Sequence, residues 1–326
     1  MAILVTGGAG YIGTHMVYAA LDRGEDVVVL DNLSTGVRDL LAQDAQYYRG
    51  DVGDQALLRQ LISQHRISAV IHLAGSTVLP ESVEKPLAYY ANNTVASRNL
   101  IEVCVELGVE RFIFSSTAAV YAPPERSPVS EEALVTPRTP YGRSKLMTEW
   151  MLEDAARAHD LRYVSLRYFN VAGADPQGRT GQSTPNAANL IKRACQVALG
   201  KLPHLDIFGT DFLTPDGTGV RDYVHVTDLV DAHAAALDHL FRGGASLTLN
   251  CGYGRGFSVR QVVDVVSKVA GHRLPTRDTG RRPGDIAEAV ADATRIRRML
   301  AWKPRYDDLE TIAASAYEWE RRLDSL

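Results

Sequence analysis

Cysteine is scarce in this 326-residue chain, and its three copies, Cys104, Cys195 and Cys251, stand far apart. No Cys-x-x-Cys or Cys/His ligand spacing occurs, so neither a disulfide framework nor a zinc site is expected, and no metal is assigned. Lysine is also sparse, 6 against 29 arginines, and the basic residues are scattered rather than gathered in a tail. With a net charge of −4 the chain has no overall attraction for nucleic-acid phosphates or acidic lipid. No apolar run reaches membrane-spanning length. The start, Met1-Ala2-Ile3-Leu4-Val5-Thr6, lacks the basic residues and longer apolar stretch of a signal peptide. The expectation is a soluble protein of the reducing cytoplasm, with no nucleic-acid or membrane partner. Internal repeats and low-complexity tracts are missing as well.

What is present is ordinary globular material, 45% hydrophobic and 23% charged, in a chain longer than one typical domain. Short apolar runs at 2–6, 26–31, 46–50, 69–73, 111–115 and 162–168 alternate with helix-length amphipathic stretches near 11–23, 54–65, 86–107 and 140–159. Val70, Ile71, Ile113 and Phe114 sit in unbroken apolar runs, as strands covered on both faces require. Such alternation predicts an α/β fold, a Rossmann-type doubly wound parallel sheet with right-handed crossovers. Residues 171–220 are rich in Gly, Pro, Asn and Thr, with one helical stretch near 185–200. Strands at 220–226 and 245–250 flank a helix near 227–241. From 258 onward the pattern reads as helices joined by a basic loop, Arg277 to Asp285. The expected organisation is a dinucleotide-binding domain over 1–170, with 221–250 returning to it, and a smaller lobe from 171–220 and 251–326.

The turn Gly7-Gly8-Ala9-Gly10-Tyr11-Ile12-Gly13 joins the first strand to the first helix. Its glycines leave backbone bare where a pyrophosphate must approach the free N–H groups of a helix N-terminus. A glycine turn alone is a flexible turn; this one follows a strand, opens a helix and has an acid at the right distance. Asp31 ends the second strand, where a carboxylate accepts both ribose hydroxyl hydrogens and repels a 2′-phosphate, favouring NAD over NADP. Asp51, after the third strand, suits either an adenine contact or the N-cap of the helix near 54–65. Leu73-Ala74-Gly75 ends the fourth strand with small residues over which a cofactor can pass.

Tyr141 and Lys145 lie four apart at the start of a helix and share a face. A free phenol titrates near about 10, so a base at neutral pH needs help, and an adjacent ammonium and an oxidised nicotinamide both favour the phenolate. One Tyr-x-x-x-Lys pair carries little weight by itself. The strand 111–115, however, runs into Ser115-Ser116-Thr117, hydroxyls placed at the strand end that faces the ligand crevice. Capping of a turn accounts for Ser115 and Ser116 better than for Thr117.

These segments resemble the extended short-chain dehydrogenases/reductases, and within them the UDP-glucose 4-epimerases. The resemblance runs through Thr6–Gly13, Asp31–Ser34, Ile71–Gly75, Glu81–Val83, Tyr89–Asn93, Phe112–Tyr121, Pro140–Lys145 and Leu166–Asn170. It continues through Thr214–Val226 and Arg282-Pro283-Gly284-Asp285. It implies Tyr141 as catalytic base, Lys145 as its partner and Thr117 as the catalytic hydroxyl. It implies NAD contacts at Gly7, Gly10, Tyr11, Ile12, Gly13, Asp31, Asn32, Asp51, Val52, Leu73, Ala74, Gly75, Asn92, Tyr141, Lys145 and Tyr168. A UDP-sugar is implied at Thr117, Tyr141, Asn170, Asn189, Arg221, Tyr223, Arg282 and Asp285. Two arginines in Gly-rich loops suit a diphosphate, which guanidinium groups grip with paired donors. A homodimer through the helices at 86–107 and 141–159 also rests on the resemblance.

Ala118-Ala119 follows Thr117 where related 4,6-dehydratases and decarboxylases carry acids, which favours epimerisation at C4 over elimination. Ser76-Thr77 stands where the family often places a lysine, implying a looser hold on NAD. Ala289 occupies a gate position that is a bulky Tyr in strict UDP-glucose/galactose enzymes, implying room for N-acetylated sugars. The alternatives are another NAD-dependent nucleotide-sugar epimerase, such as one for UDP-xylose/arabinose, or a non-catalytic NAD-sensing protein of the same fold.

Overall fold

Buried strands and the short turns between them set the architecture of the computed structural model, which describes residues 1–123, 127–184, 187–282 and 284–323. Pro283 of the basic motif, the first two residues of the helical stretch at 185–200 and the last three of the chain lie outside the described residues.

In chain order the first half comprises β1 (Ala2–Thr6), α1 (Tyr11–Asp22), β2 (Asp26–Asp31), β3 (Gln46–Arg49), α2 (Gln55–His65) and β4 (Ala69–His72). Then come α3 (Leu79–Glu84), α4 (Pro86–Tyr89), a π-helical turn (Tyr90–Val95), α5 (Ala96–Glu106), β5 (Arg111–Thr117), α6 (Pro140–Ala158) and β6 (Arg162–Tyr168). The second half adds β7 (Asn170–Ala172), α7 (Leu190–Ala198), β8 (Leu205–Phe208), β9 (Val220–His225), α8 (Val226–Phe241) and β10 (Leu247–Cys251). It closes with β11 (Gly256–Ser258), α9 (Val259–Ala270), β12 (Thr276–Thr279), β13 (Glu288–Ala289), α10 (Thr294–Leu300) and α11 (Leu309–Arg322).

Seven strands form one parallel sheet in the order β10-β6-β5-β4-β1-β2-β3. Ile3, Leu4 and Val5 of β1 and Val70 and Ile71 of β4 are fully buried, because helices cover both faces. Strand order reverses between β1 and β4, which opens a crevice beyond their C-terminal ends. Of residues 221–250, α8 and β10 belong with this sheet, whereas 221–225 lie in β9 of a smaller one. That sheet joins β11, β9, β13 and β7, and β8 pairs with β12 in a two-stranded ribbon.

The stretch 86–107 is helical as expected, with a π-helical turn at Tyr90–Val95 that the sequence did not announce. One expectation needs correction. The basic segment read as a loop begins as a strand, β12, whose exposed residues Thr276–Asp278 carry no apolar alternation to announce it.

Candidate active site

At the tip of β1 the glycines divide into two kinds. Gly7 has φ +69°, a left-handed conformation that disfavours side chains, and a Cβ there would sit 2.6 Å from the Ala74 amide nitrogen. A Cβ on Gly13 would lie 2.1 Å from the Gly7 carbonyl oxygen. Packing between the β1 turn, helix α1 and the end of β4 therefore demands both. A Cβ on Gly10 would meet only Gly7 O, at 3.3 Å, so its bareness serves whatever approaches from outside. Helix α1 starts there with no side-chain cap and no acid in its first turn, which leaves a positive helix end for an anion. Tyr11, next in line, donates its hydroxyl to Gly173 O (2.7 Å), tying the turn to the chain beyond β7.

Asp31 is buried at the end of β2, and its two oxygens accept from Ala9 N (2.9 Å) and Leu33 N (2.7 Å). Each oxygen keeps a lone-pair direction free for a ribose hydroxyl. Asn32 donates to Asp51 Oδ2 (3.1 Å), and Asp51 Oδ1 accepts from Gly53 N (2.8 Å). The helix-capping role open to Asp51 belongs instead to Asp54, which accepts from Ala56 N and Leu57 N. Val52 places its side chain in the core.

Leu73, Ala74 and Gly75 leave β4 along the same rim. Asn93 holds the next residue at both ends, accepting from Ser76 N (2.8 Å) and donating to Ser76 O (3.0 Å). Asn92 donates to Ser76 Oγ (2.9 Å), and Asn93 also reaches Ser144 Oγ on α6 (3.1 Å). The π-helical turn lets two consecutive asparagines serve one residue, a usual place for such irregularity being a functional site. Asn93 escaped the sequence reading; its signal was an Asn-Asn-Thr run of poor helix formers inside an otherwise helical stretch.

The three hydroxyls at the end of β5 have different duties. His233 Nδ1 lies 2.9 Å from Leu229 O and so carries the hydrogen, which leaves Nε2 to accept from Ser115 Oγ (2.9 Å). Ser116 donates to Glu149 Oε1. Thr117 remains, accepting from Ala119 N (3.1 Å) and near enough to the Tyr141 hydroxyl to pull its phenol down. Helix α6 delivers Tyr141 to this spot, with Pro140 in its first turn and Thr139 as N-cap.

Tyr141 is buried, and burial raises its phenol above the ordinary value, with the Thr117 hydrogen bond pulling the other way. One turn on, Lys145 brings its ammonium to the end of β5. That ammonium donates to Ser115 O (3.0 Å) and lies 4.9 Å over the Phe114 ring. Burial lowers Lys145 to about 8.

A second group of residues forms around β9. Asn170 pairs in register with Tyr223, and Ala289 with Arg221. Arg221 donates to Val220 O (2.8 Å), and burial pushes its guanidinium below the usual range, the condition of a cation in want of an anion. Arg282 forks onto Asp285 (3.1 and 3.3 Å) and lies 4.8 Å over the exposed ring of Phe208. Phe208 was not picked out from the sequence, since only the ribbon of β8 and β12 brings it here. Asn189 stands at the start of α7, exposed, with Gln182 donating to it across 3.4 Å. The two groups are joined by chain continuity. β6 ends on Tyr168, paired in register with Thr117, and Asn170, two residues on and thus within about 7 Å, opens β7 beside Tyr223.

The chain was also compared with known proteins. The family model described as NAD dependent epimerase/dehydratase family matches residues 3–252. The UDP-glucose 4-epimerase of Azospirillum brasilense is 55% identical over 322 residues, covering 99% of this chain and 92% of that protein. The crystal structure of UDP-glucose 4-epimerase from Bifidobacterium longum in complex with NAD+ and UDP superposes with a TM-score of 0.94 at 39% identity, over 99% and 98% of the two chains. The UDP-Glc/GlcNAc 4-epimerase from Campylobacter jejuni does so with a TM-score of 0.86 at 45% identity, over 98% and 99%. The chain belongs to the NAD dependent epimerase/dehydratase family.

Proposed function

We propose that this protein interconverts UDP-glucose and UDP-galactose by reversible oxidation at C4 of the hexose, with NAD as its resident cofactor. The observation that carries the reading is the buried Tyr141 phenol set against the Thr117 hydroxyl at the C-terminal end of β5. The likeness to UDP-glucose 4-epimerases over nearly the whole chain supports it.

The cradle fits a dinucleotide because Gly10 is bare on its outer side and Asp31 presents an ordered carboxylate. Gly7, Gly10, Tyr11, Ile12 and Gly13 would hold the pyrophosphate side, Asp31, Asn32, Asp51 and Val52 the adenosine, and Leu73, Ala74, Gly75, Asn92, Lys145 and Tyr168 the nicotinamide half. When bound, NAD supplies reversible two-electron acceptance, which lets C4 pass through a ketone and return. Tyr141 takes the C4 hydroxyl proton, directly or through Thr117, and gives it back when the ketone is reduced. Arg221 and Arg282 grip the diphosphate throughout, leaving the hexosyl ring free to present either face to Tyr141. Asn170, Asn189, Tyr223 and Asp285 line the same substrate. Ala118-Ala119-Val120 form a turn after Thr117 without an acid, so the second proton transfer that an elimination requires has no carboxylate there.

Ala289 beside Arg221 leaves volume next to the sugar for an acetamido group, so the N-acetylated pair is a second substrate pair. The outer side of α3 to α6 exposes Val83 (60%), Leu87 (80%), Val95 (54%) and Trp150 (54%), apolar area that a second copy of the chain would cover in a homodimer. No helix among the described residues is long and apolar enough to cross a membrane. The cysteines are buried and free, which suits the reducing cytoplasm.

The test is a panel of UDP-sugars assayed in both directions without added cofactor. Interconversion of UDP-glucose and UDP-galactose is expected. Failure to interconvert any pair, with NAD supplied, overturns the reading.

A further inference from the structure

Helix α6 carries Tyr141 and Lys145, and one turn further along the same face it carries Glu149. Glu149 is buried and paired with Arg167 of β6, which reaches it through Nε (3.0 Å to Oε1) and Nη2 (2.6 Å to Oε2). The carboxylate also accepts from Ser116, the residue before Thr117. One carboxylate therefore ties the catalytic helix to both strands beneath it. Lys145 adds a single bond to β5, through Ser115 O.

The ties continue away from the helix. Arg167 Nη1 donates to the Tyr121 hydroxyl (3.1 Å), which donates to Asn250 Oδ1 (2.7 Å) at the end of β10. Asn250 Nδ2 donates to Val129 O (2.8 Å), and Val129 N donates to Val290 O (2.8 Å), the neighbour of Ala289. Buried bonds thus run without a gap from the helix that carries Tyr141 to Val290, the residue that follows β13. Replacing a buried ion pair by apolar side chains of like volume often leaves stability unchanged or raised, so stability alone gives such a pair little reason to exist. Its geometry, forked on both sides, is suited to holding a register.

We propose that Glu149 and Arg167 are positioning residues, a buried pair that sets α6 against β5 so that Tyr141 and Thr117 meet, and links that register to the strand bearing Ala289. Neither touches the reacting atoms. The proposal rests on the epimerase reading given above, and turnover by the unaltered protein tests that reading separately.

Three variants test the pair. Glu149→Gln keeps an acceptor for Ser116 and removes the charge that orients Arg167. Its kcat is expected to fall by about tenfold or more, while KM for UDP-glucose and the affinity for NAD stay within about threefold. The combined variant Glu149→Met with Arg167→Met is expected to recover thermal stability without recovering kcat. Ser116→Ala, which cuts only the tie to β5, is expected to lower kcat with little change in melting temperature. The proposal is overturned if the unaltered protein turns over and Glu149→Gln matches it within twofold. It is equally overturned if kcat returns together with stability in the combined variant, or if KM rather than kcat carries the loss. Should the two Glu149 variants fail to fold, Ser116→Ala decides the matter by the same split.

Discussion

Gly13→Ala sets two physical rules against each other. Gly13 sits in the first turn of α1, and by helix propensity alone alanine there should stabilise by about 0.5–1 kcal/mol. The new methyl would stand 2.1 Å from Gly7 O, 2.7 Å from Gly8 Cα and 2.8 Å from Gly8 C, all backbone atoms. Relief needs a retreat of about 1 Å or more to reach ordinary contact. The turn has nowhere to retreat, because Gly7 already lies against the backbone of Leu73 and Ala74. Movement would also break the bond from Gly10 N to Gly7 O (3.1 Å), worth about 0.5–1.5 kcal/mol. Overpacking of this kind costs about 1–3 kcal/mol. The clash therefore outweighs propensity, for a net loss of about 1–3 kcal/mol. At about 0.7 kcal/mol per kelvin for a chain this long, that is a fall of about 1–4 °C in melting temperature. NAD affinity, measured by equilibrium dialysis, should drop by about tenfold or more, since the same turn faces the pyrophosphate. A melting temperature that rises, with NAD affinity within twofold, would refute the packing argument and leave the glycine as a mere flexible turn.

Tyr141→Phe should retain NAD binding and lose about two to four orders of magnitude of turnover, the share of a general base; turnover close to that of the unaltered protein contradicts the assignment. Because burial raises the Tyr141 phenol and only its ionised form accepts a proton, kcat/KM should decline as pH falls. Thr117→Val deletes the hydrogen bond that opposes burial, so this decline should shift to higher pH, and an unmoved profile rejects that role for Thr117. Ala289→Tyr should suppress the N-acetylated pair selectively, seen by comparing kcat/KM for both pairs; equal losses reject the gate. Trp150→Glu should convert a dimer to monomers in light scattering, and an unchanged mass places any interface elsewhere.

The legible parts were those whose chemistry is local. A strand, a glycine turn and a helix are adjacent in sequence, so 2–6, 7–13 and 11–22 could be read as one phosphate-binding unit. Tyr141 and Lys145 share a helix face by period alone. Less was visible where a role depends on what a distant segment does. Ser115, Ser116 and Thr117 look alike in sequence, and their division of labour comes from His233, Glu149 and Tyr141, which approach from α8 and α6. Asp51 stays open between an adenine contact and a helix cap until the backbone shows that Asp54 faces Ala56 and Leu57.

By itself, then, the order of residues determined the parallel sheet, the glycine cradle and the placing of Tyr141 and Lys145 on one helix face, because each rests on spacing within one or two neighbouring elements. Tertiary structure alone decided that Lys145 binds the Ser115 carbonyl, that Asn93 clamps Ser76, and that Phe208 sits under Arg282. It also decided that Glu149 and Arg167 form one buried pair. These are contacts between segments far apart in the chain, fixed by how the crossovers pack, and no local period or propensity encodes them.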